Sequence, residues 1–161
     1  MQMNVVSKRG VSVSQVRGFS LIELVVVIAI VGILASIAVP SFNSSIASMR
    51  AKNAASSLYD GLVRARSEAV KRNANVVLAP ATSWANGWQV YLSSDADMVL
   101  ENYTTTGTVT ITGPDDVEYK ATGRASGSVQ FNVEATMGSS TAYRCVSVSL
   151  SGLPTIKTSA C

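Results

Sequence analysis

The chain of 161 residues has room for one modest domain and one further element, but it is too short for two full domains. Charged residues make up 14% of it, against about 25% in an average soluble protein, and the formal net charge is +3. The chain contains no histidine, the residue that general acid–base catalysis recruits most often, and no nucleophile-elbow or phosphate-loop motif. We therefore expect neither an enzyme nor a cofactor.

The first predicted element is an apolar helix near the N-terminus. Residues 19–39 form an apolar run that would extend roughly 31 Å as a helix, close to the hydrocarbon thickness of a bilayer. Glu23 lies just inside this run, although a carboxylate at the centre of a spanning helix costs on the order of 2.5–3.5 kcal/mol. An uncleaved anchor, a signal peptide cleaved near Ser36-Ile37-Ala38 and a buried helix of a soluble protein are all compatible with the run alone.

The start of the run resembles a known processing signal. Residues 18–23 read Gly-Phe-Ser-Leu-Ile-Glu and precede an apolar helix that contains Gly32 and Pro40. This pattern resembles the class III signal of type IV pilins and type II secretion pseudopilins. The resemblance implies that a prepilin peptidase cleaves after Gly18 and methylates the new amine of Phe19, which leaves a mature chain of 143 residues.

The resemblance also implies a location and a set of partners. The chain would be a single-pass protein of the bacterial inner membrane, with its head in the periplasm, before it enters a pilus or pseudopilus. Its partners would be other minor and major pilins or pseudopilins, the prepilin peptidase and the inner-membrane assembly platform. Lys8, Arg9 and Arg17 precede the cleavage site and agree with the tendency of basic residues to stay on the cytoplasmic side.

Two compatible roles are open to Glu23. Ser20 and Glu23 form an S-x-x-E capping box, in which the carboxylate would satisfy backbone N–H groups and the helix dipole. The resemblance implies instead that Glu23 pairs with the Phe19 amine of a neighbouring subunit and sets the axial register of a filament. We expect this assembly role, so that Glu23→Ala impairs incorporation and leaves folding and insertion intact.

The helix is predicted to continue past Pro40, which would kink it, to about Asn73. Beyond the proline, one face is apolar and the opposite face is basic. The basic face would attract anionic lipid or phosphate, although solvation or pairing with neighbouring subunits is the preferred interpretation. The predicted apolar stripe comprises Phe42, Ile46, Met49, Leu58, Leu62, Ala65 and Ala69, and the basic face comprises Arg50, Lys52, Arg64, Arg66 and Lys71.

The remainder is predicted to form a β-rich head. Between Tyr143 and Leu150, valine and leucine alternate with polar residues, which is typical of a strand with one buried face. The predicted fold class is α+β, with the long kinked helix packed on an antiparallel sheet, as in pilins. Predicted strands lie near 76–78, 88–92, 98–103, 108–112, 117–120, 128–133 and 143–150, separated by turn glycines. The predicted organisation is a leader at 1–18, a transmembrane and filament-core helix at 19–40, an amphipathic helix at 41–74 and the head at 75–161.

The cysteines predict a disulfide-bonded head, and neither the cysteines nor the acidic residues predict a metal site. Cys145 and Cys161 are 16 positions apart, and we expect an extracytoplasmic disulfide that pins the C-terminus, worth roughly 3 kcal/mol. Two cysteines without histidine make a poor metal site. Asp95, Asp97 and Glu101 lack the spacing of an EF-hand calcium loop, so we expect solvated loop acids.

Three stretches of the chain narrow the resemblance to the FimT/FimU and pseudopilin H (GspH) family. They are residues 65–73, which begin A-R-S-E-A, residues 87–90, G-W-Q-V, and residues 144–149, R-C-V-S-V-S, shortly before Ser151-Gly152. Core roles are expected for Trp84 and Trp88, and structural roles for Arg66 and Glu68. Family members act as minor pilins that initiate or cap a type IV pilus, as the minor pseudopilin H of type II secretion, or as DNA receptors in transformation.

Charge disfavours the DNA receptor. DNA-binding relatives carry a basic G-R-x-R-like motif after the last strand, whereas residues 152–157 here contain Lys157 as their single cation. From Asn73 onward four basic residues face seven acidic ones, and DNA affinity depends on phosphate neutralisation. The prediction is a minor pilin of a type IV pilus, with the pseudopilin and the DNA receptor as alternatives.

Overall fold

The computed structural model describes residues 18–105 and 109–161. The predicted leader with Lys8, Arg9 and Arg17 lies outside these residues, except for Gly18. A single helix, α1, comprises Leu21–Arg72, and its terminal charges suit the helix dipole, with Glu23 in the first turn and basic residues in the last. Contacts divide the chain into one unit that ends at Ser36 and a second that begins at Ile37. Pro40 lies inside α1, and the kink stays a prediction.

After α1, the described residues form two four-stranded antiparallel sheets, so the α+β prediction is confirmed and its sheet is divided in two. The strand order is β3-β2-β1-β5 in the first sheet and β4-β6-β7-β8 in the second. A 3-10 turn, Trp84–Asn86, connects β1 and β2. The strands are β1 Val76–Pro80, β2 Gly87–Leu92, β3 Asp95–Thr104, β4 Thr110–Thr112, β5 Val117–Tyr119, β6 Val129–Met137, β7 Ser140–Val148 and β8 Pro154–Lys157.

The end of the chain differs from the sequence prediction. Strand β7 ends at Val148, and Leu150, which was expected on the buried face, is 52% exposed. The chain turns there through Gly152, whose φ of 81° is one that glycine adopts without strain. It then forms β8, which pairs with β7 from Val148↔Pro154 to Cys145↔Lys157. The sequence did not predict β8, because a four-residue strand that begins with proline carries almost no periodic signal.

The buried face of α1 agrees with the predicted stripe from Leu58 onward but differs from it before Leu58. Leu58, Leu62, Ala65 and Ala69 are buried as expected, but Phe42 and Met49 are 68% and 63% exposed and Ile46 is half-buried. Alanines at i, i+4 spacing occupy the buried face instead, because small side chains let a helix backbone lie close to its neighbour. These alanines are Ala47, Ala51 and Ala55.

The core of the head is aromatic where the helix and the sheets meet. Trp84 and Trp88 are both buried, which confirms their predicted core roles. The Trp84 ring meets Phe131 edge-to-face at 4.8 Å between centroids, and its indole N–H donates to the Pro114 carbonyl at 2.7 Å. Cys145 and Cys161 form the predicted disulfide, with 5.0 Å between their Cα atoms.

Candidate functional site

The start of α1 presents a capped helix end with an unused carboxylate. The Glu23 backbone N–H donates to the Ser20 hydroxyl at 3.3 Å, so serine supplies its half of the predicted capping box. The Leu24 N–H donates to the Ser20 carbonyl at 3.2 Å. The Glu23 side chain is exposed and forms no hydrogen bond or ion pair with any residue that the structure describes. Gly18 and Phe19 precede the helix and are exposed.

An exposed apolar surface follows this end. The large apolar side chains between Phe19 and Val39 are 46% to 81% exposed. Soluble monomers rarely expose contiguous apolar patches above a few hundred Å², so this surface requires lipid or protein as its environment. Its length and composition are sufficient for a helix that crosses a membrane.

The predicted basic face of α1 is partly engaged within the head. Arg64 pairs with Glu101 on β3 at 2.8 Å, and the Arg66 Nε donates to the Gly123 carbonyl at 2.9 Å. Glu68 receives Arg72 at 2.6 Å and Lys71 at 3.4 Å, and the hydrogen bond from Arg72 holds the pKa of Glu68 below its ordinary value. Within the described residues, Arg50 and Lys52 form no ion pair.

The acids that resembled a calcium pattern lie along β3 and not in a loop. Asp95 begins the strand and accepts a hydrogen bond from the Asp97 N–H at 3.1 Å, whereas Glu101 pairs with Arg64. No group of three metal-ligating side chains occurs in residues 18–105 and 109–161. The described surface thus comprises an apolar helix with one acid at its start and a head that carries dispersed charges.

Comparison with known proteins places this arrangement in a family. Residues 54–152, from the second half of α1 to the turn before β8, match the family described as type II transport protein GspH, and this is more than half of the chain. The chain belongs to this family. Residues 13–39 match the prokaryotic N-terminal methylation motif, which includes Glu23.

Individual relatives agree with the family. The pilin-like protein PilA1 of Thermus thermophilus is 36% identical over 81 residues, which cover 50% of this chain and 51% of PilA1. The type IV major fimbrial protein FimA of Dichelobacter nodosus is 52% identical over 46 residues, 29% of this chain and 28% of FimA. The chain thus spans about half the length, or less, of these relatives.

A solved structure has the same fold. The crystal structure of the type IV minor pilin FimU of Pseudomonas aeruginosa aligns with a TM-score of 0.59 at 19% identity, covering 67% of this chain and 88% of FimU. The predicted pilin fold and the predicted FimT/FimU and GspH family are therefore confirmed. The chain therefore combines membership of the GspH family with a pilin-type fold.

Proposed function

We propose that this GspH-family chain is a minor pilin of a type IV pilus, which assembles with other minor pilins to initiate or cap the filament. The observation that carries the proposal is the exposed apolar surface of α1, which has at its start a carboxylate, Glu23, that pairs with no residue that the structure describes. Such a surface is stable in a bilayer before assembly and among the helices of other subunits afterwards. The FimU-like head supports the same interpretation.

Processing would create the partner of Glu23. Cleavage after Gly18 leaves the amine of Phe19 as a new positive charge, which N-methylation retains, and the chain matches the methylation motif. Charges in an apolar surrounding interact strongly and are costly when unpaired, so the Glu23 of one subunit would pair with the Phe19 amine of the next. Because every other contact in an apolar helix bundle is non-directional, this pair would set the axial register.

The sequence of events follows from the same features. The chain would enter the bacterial inner membrane as a single-pass protein with its head in the periplasm, and the prepilin peptidase would process it there. The assembly platform would then move it into the filament beside other minor and major pilins. Its contribution would be packing and register, with no covalent chemistry beyond being a peptidase substrate. Pro40 would adjust the helix within this packing.

A specific observation bears on each of the two alternative functions. The description of the matched family, type II transport, favours the minor pseudopilin H of a secretion system as the second candidate. A DNA receptor is disfavoured, because Lys157 at the end of β8 is the single cation in the tail after β7. Counting surface pili in a strain that lacks this gene separates pilus from secretion: loss of pili supports the proposal, and normal pili with lost exoprotein secretion would favour the pseudopilin.

Glu23 supplies the carboxylate in the first turn of α1, and its replacement tests the proposed pairing. Glu23→Ala should reduce the amount of this chain in sheared filaments by at least tenfold, because the Phe19 amine of the neighbouring subunit loses its counter-charge in an apolar environment. Membrane insertion and the Cys145–Cys161 disulfide should remain at wild-type level. The measurement is quantitative immunoblotting of filament and membrane fractions, with mass spectrometry of the filament-bound chain to identify a methylated N-terminal Phe19.

Ser20→Ala is the matched control for the capping role. It removes the observed hydrogen bond to the Glu23 N–H, a loss of about 1 kcal/mol in helix stability, but keeps the carboxylate. If Glu23 acts in subunit pairing, Ser20→Ala enters filaments at nearly the wild-type level. Equal loss in both variants would assign Glu23 to helix capping and contradict the pairing.

A further inference from the structure

The end of the head beside the apolar run carries three cations that no acid neutralises. Arg50 and Lys52 lie on α1, and Arg144 lies on β7. None of the three forms an ion pair with a residue that the structure describes. Arg144 donates to the Tyr143 carbonyl at 2.7 Å and to the Ser48 hydroxyl at 3.1 Å, and both of these acceptors are neutral. We call the three cationic residues the basic collar.

The structure separates the basic collar from the rest of the basic face that was predicted on α1. Arg64 pairs with Glu101, and Lys71 pairs with Glu68. Arg66 donates to a backbone carbonyl of the head. These cations therefore have partners within the chain, whereas the cations of the collar have no carboxylate among the described residues.

The elements that form the collar contribute no acid of their own. Residues 24–59 of α1 contain no acidic residue, and neither do residues 135–144 of the β6–β7 hairpin. Glu134 precedes this part of the hairpin and lies opposite Tyr143, the neighbour of Arg144. Because successive side chains of a strand point to opposite faces, Glu134 and Arg144 lie on different faces of the second sheet. The positive charge at this end of the head is therefore uncompensated by the described residues.

The collar lies just beyond the length of α1 that a bilayer can cover. About 20 helical residues span the hydrocarbon, so a span that starts after Glu23 ends near Asn43. The β6–β7 hairpin meets α1 at this level, since a Cβ on Gly138 would lie 2.6 Å from the Asn43 side-chain nitrogen. Arg50 and Lys52 follow within about 14 Å along the helix. Helical side chains lean toward the N-terminus, which is the membrane end of α1, and long basic side chains extend to headgroups.

The distribution of the cations around α1 suits a planar surface better than a single small anion. Ser48, which accepts from Arg144, and Lys52 are four residues apart and share one side of the helix. Arg50 is two residues from each of them, which places it about 200° around the helix. One phosphate ion cannot contact both sides at once. A lipid surface surrounds the helix and presents a separate headgroup to each cation.

We propose that the basic collar docks the head on the phosphates of anionic lipids while α1 spans the membrane before assembly. The exposed apolar side chains of α1 continue as far as Met49, so lipid is the environment next to these cations. Each basic residue beside an anionic membrane surface adds to such docking. This inference rests on the membrane-inserted stage of the proposed function, and it names a lipid contact that filament assembly has to release.

The test compares the full chain in nanodiscs of pure phosphatidylcholine and in nanodiscs of an equal mixture of phosphatidylcholine and phosphatidylglycerol. Hydrogen–deuterium exchange with mass spectrometry reports on residues 43–52 and 137–144. Anionic lipid should slow exchange in both segments on the order of tenfold. Salt near 1 M, where the Debye length is about 3 Å, should remove this difference. Slowing by inorganic phosphate added to phosphatidylcholine nanodiscs would overturn the lipid surface in favour of a soluble anion.

Variants of the collar test whether its charge is responsible. The triple variant Arg50→Gln, Lys52→Gln and Arg144→Gln should lose the slowing in anionic nanodiscs. The double variant Arg50→Lys with Arg144→Lys removes both guanidinium groups but keeps all three charges, so it should retain most of the slowing. If the double variant loses as much as the triple variant, the effect belongs to the packing of Arg144 on Ser48, and the lipid contact is overturned.

A second triple variant controls for net charge. Lys71→Gln, Lys120→Gln and Arg124→Gln remove three exposed cations near the C-terminal end of α1, where Gly123 lies beside Val70. This variant should exchange like the wild type in both lipids. An equal loss in the two triple variants would overturn the proposal, because net charge alone would then explain it. Equal exchange of the wild-type chain in the two kinds of nanodisc would overturn it as well.

The amount of each chain in sheared filaments, measured in parallel, keeps this inference apart from the proposed function. Absence of the wild-type chain from filaments, with the lipid effect intact, would overturn the minor pilin and leave the lipid contact. Wild-type incorporation without a lipid effect would do the reverse. If the collar triple variant still shows the lipid effect but is lost from filaments, the collar binds carboxylates of neighbouring subunits, and the lipid contact is overturned.

Discussion

At the scale of single residues, Glu118 on β5 shows how one carboxylate joins three distant segments. Its two oxygens accept hydrogen bonds from the Ser126 hydroxyl at 2.7 Å, the Ser93 hydroxyl at 3.0 Å and the Asn75 side-chain amide at 3.2 Å. The hydrogen bond from Ser126 is the largest cause that holds the pKa of Glu118 below its ordinary value, and partial burial opposes it. The ionised form is therefore the one that stabilises the folded head.

This arrangement predicts a pH dependence of stability. Because the pKa of Glu118 is lower in the folded state, its contribution is present above its unfolded pKa of about 4.3 and is lost as the pH falls through the folded value. Glu118→Gln should lower the melting temperature at pH 7 and reduce its fall between pH 5 and 3, as measured by circular dichroism. Glu134→Gln, a half-buried acid on β6, is the control. An unchanged acid slope in Glu118→Gln would contradict the prediction.

Gly61 shows that the reason for a residue can lie in a neighbour that is distant in sequence. Gly61 lies inside α1, where glycine lowers helix propensity by about 1 kcal/mol relative to alanine. The structure supplies the reason for its presence: the Trp88 indole occupies the space that a Cβ would take. Trp88 is on β2, and no pattern within the helix could have indicated this neighbour.

At the scale of elements, β8 depends on what surrounds it more than on its own residues. It has four residues, begins with Pro154 and pairs on one side with β7. Cys161 beyond it is joined to Cys145 on β7, and the Cys161 N–H donates to the Asn132 side chain at 3.4 Å. The disulfide thus holds the C-terminal segment on the second sheet.

Removing this bridge should therefore have a measurable cost. The double variant Cys145→Ala with Cys161→Ala should lose about 3 kcal/mol in the free energy of unfolding, because a loop of 16 residues regains its freedom in the unfolded chain. Urea unfolding with and without reductant measures this difference. Reductant should destabilise the wild type by a similar amount and leave the double variant unchanged. Equal midpoints for the oxidised wild type and the double variant would refute the estimate.

At the scale of the whole head, the two sheets meet through an aromatic contact. Trp84 lies in the turn between β1 and β2 of the first sheet, and Phe131 lies on β6 of the second. Their edge-to-face geometry at 4.8 Å and 83° is one that aromatic quadrupoles favour. Both rings belong to the same buried cluster as Leu58 and Leu62 of α1, so helix and sheets share one core.

A double-mutant cycle tests this junction. Trp84→Leu and Phe131→Leu should each destabilise the head, and their coupling energy should be about 0.5–1.5 kcal/mol, as measured by denaturant unfolding. Tyr103→Leu serves as the comparison for Trp84→Leu, because Tyr103 stacks on Trp88 instead, and this pair should be additive. Additivity of Trp84 with Phe131 would show that the ring contact does not couple the sheets.

The sequence alone was sufficient to predict those features that a short stretch of the chain specifies. Contiguous residues predicted four features. These are the apolar run with Glu23, the extent of α1 to within a residue or two, the clearest strands and the family. Side-chain periodicity and short motifs are local properties, so no knowledge of the folded state is needed to recognise them.

Long-range packing decided the rest. The division into two sheets, the alanine face of α1 and the exposure of Leu150 all depend on residues far apart in sequence. Phe42 and Met49 have the spacing of buried residues, yet Ala47 and Ala51 take that place, because the distance between the helix and its neighbours determines which side chains fit. Local pattern specifies which elements form, whereas only their mutual packing determines which faces are buried and which groups are left free to bind.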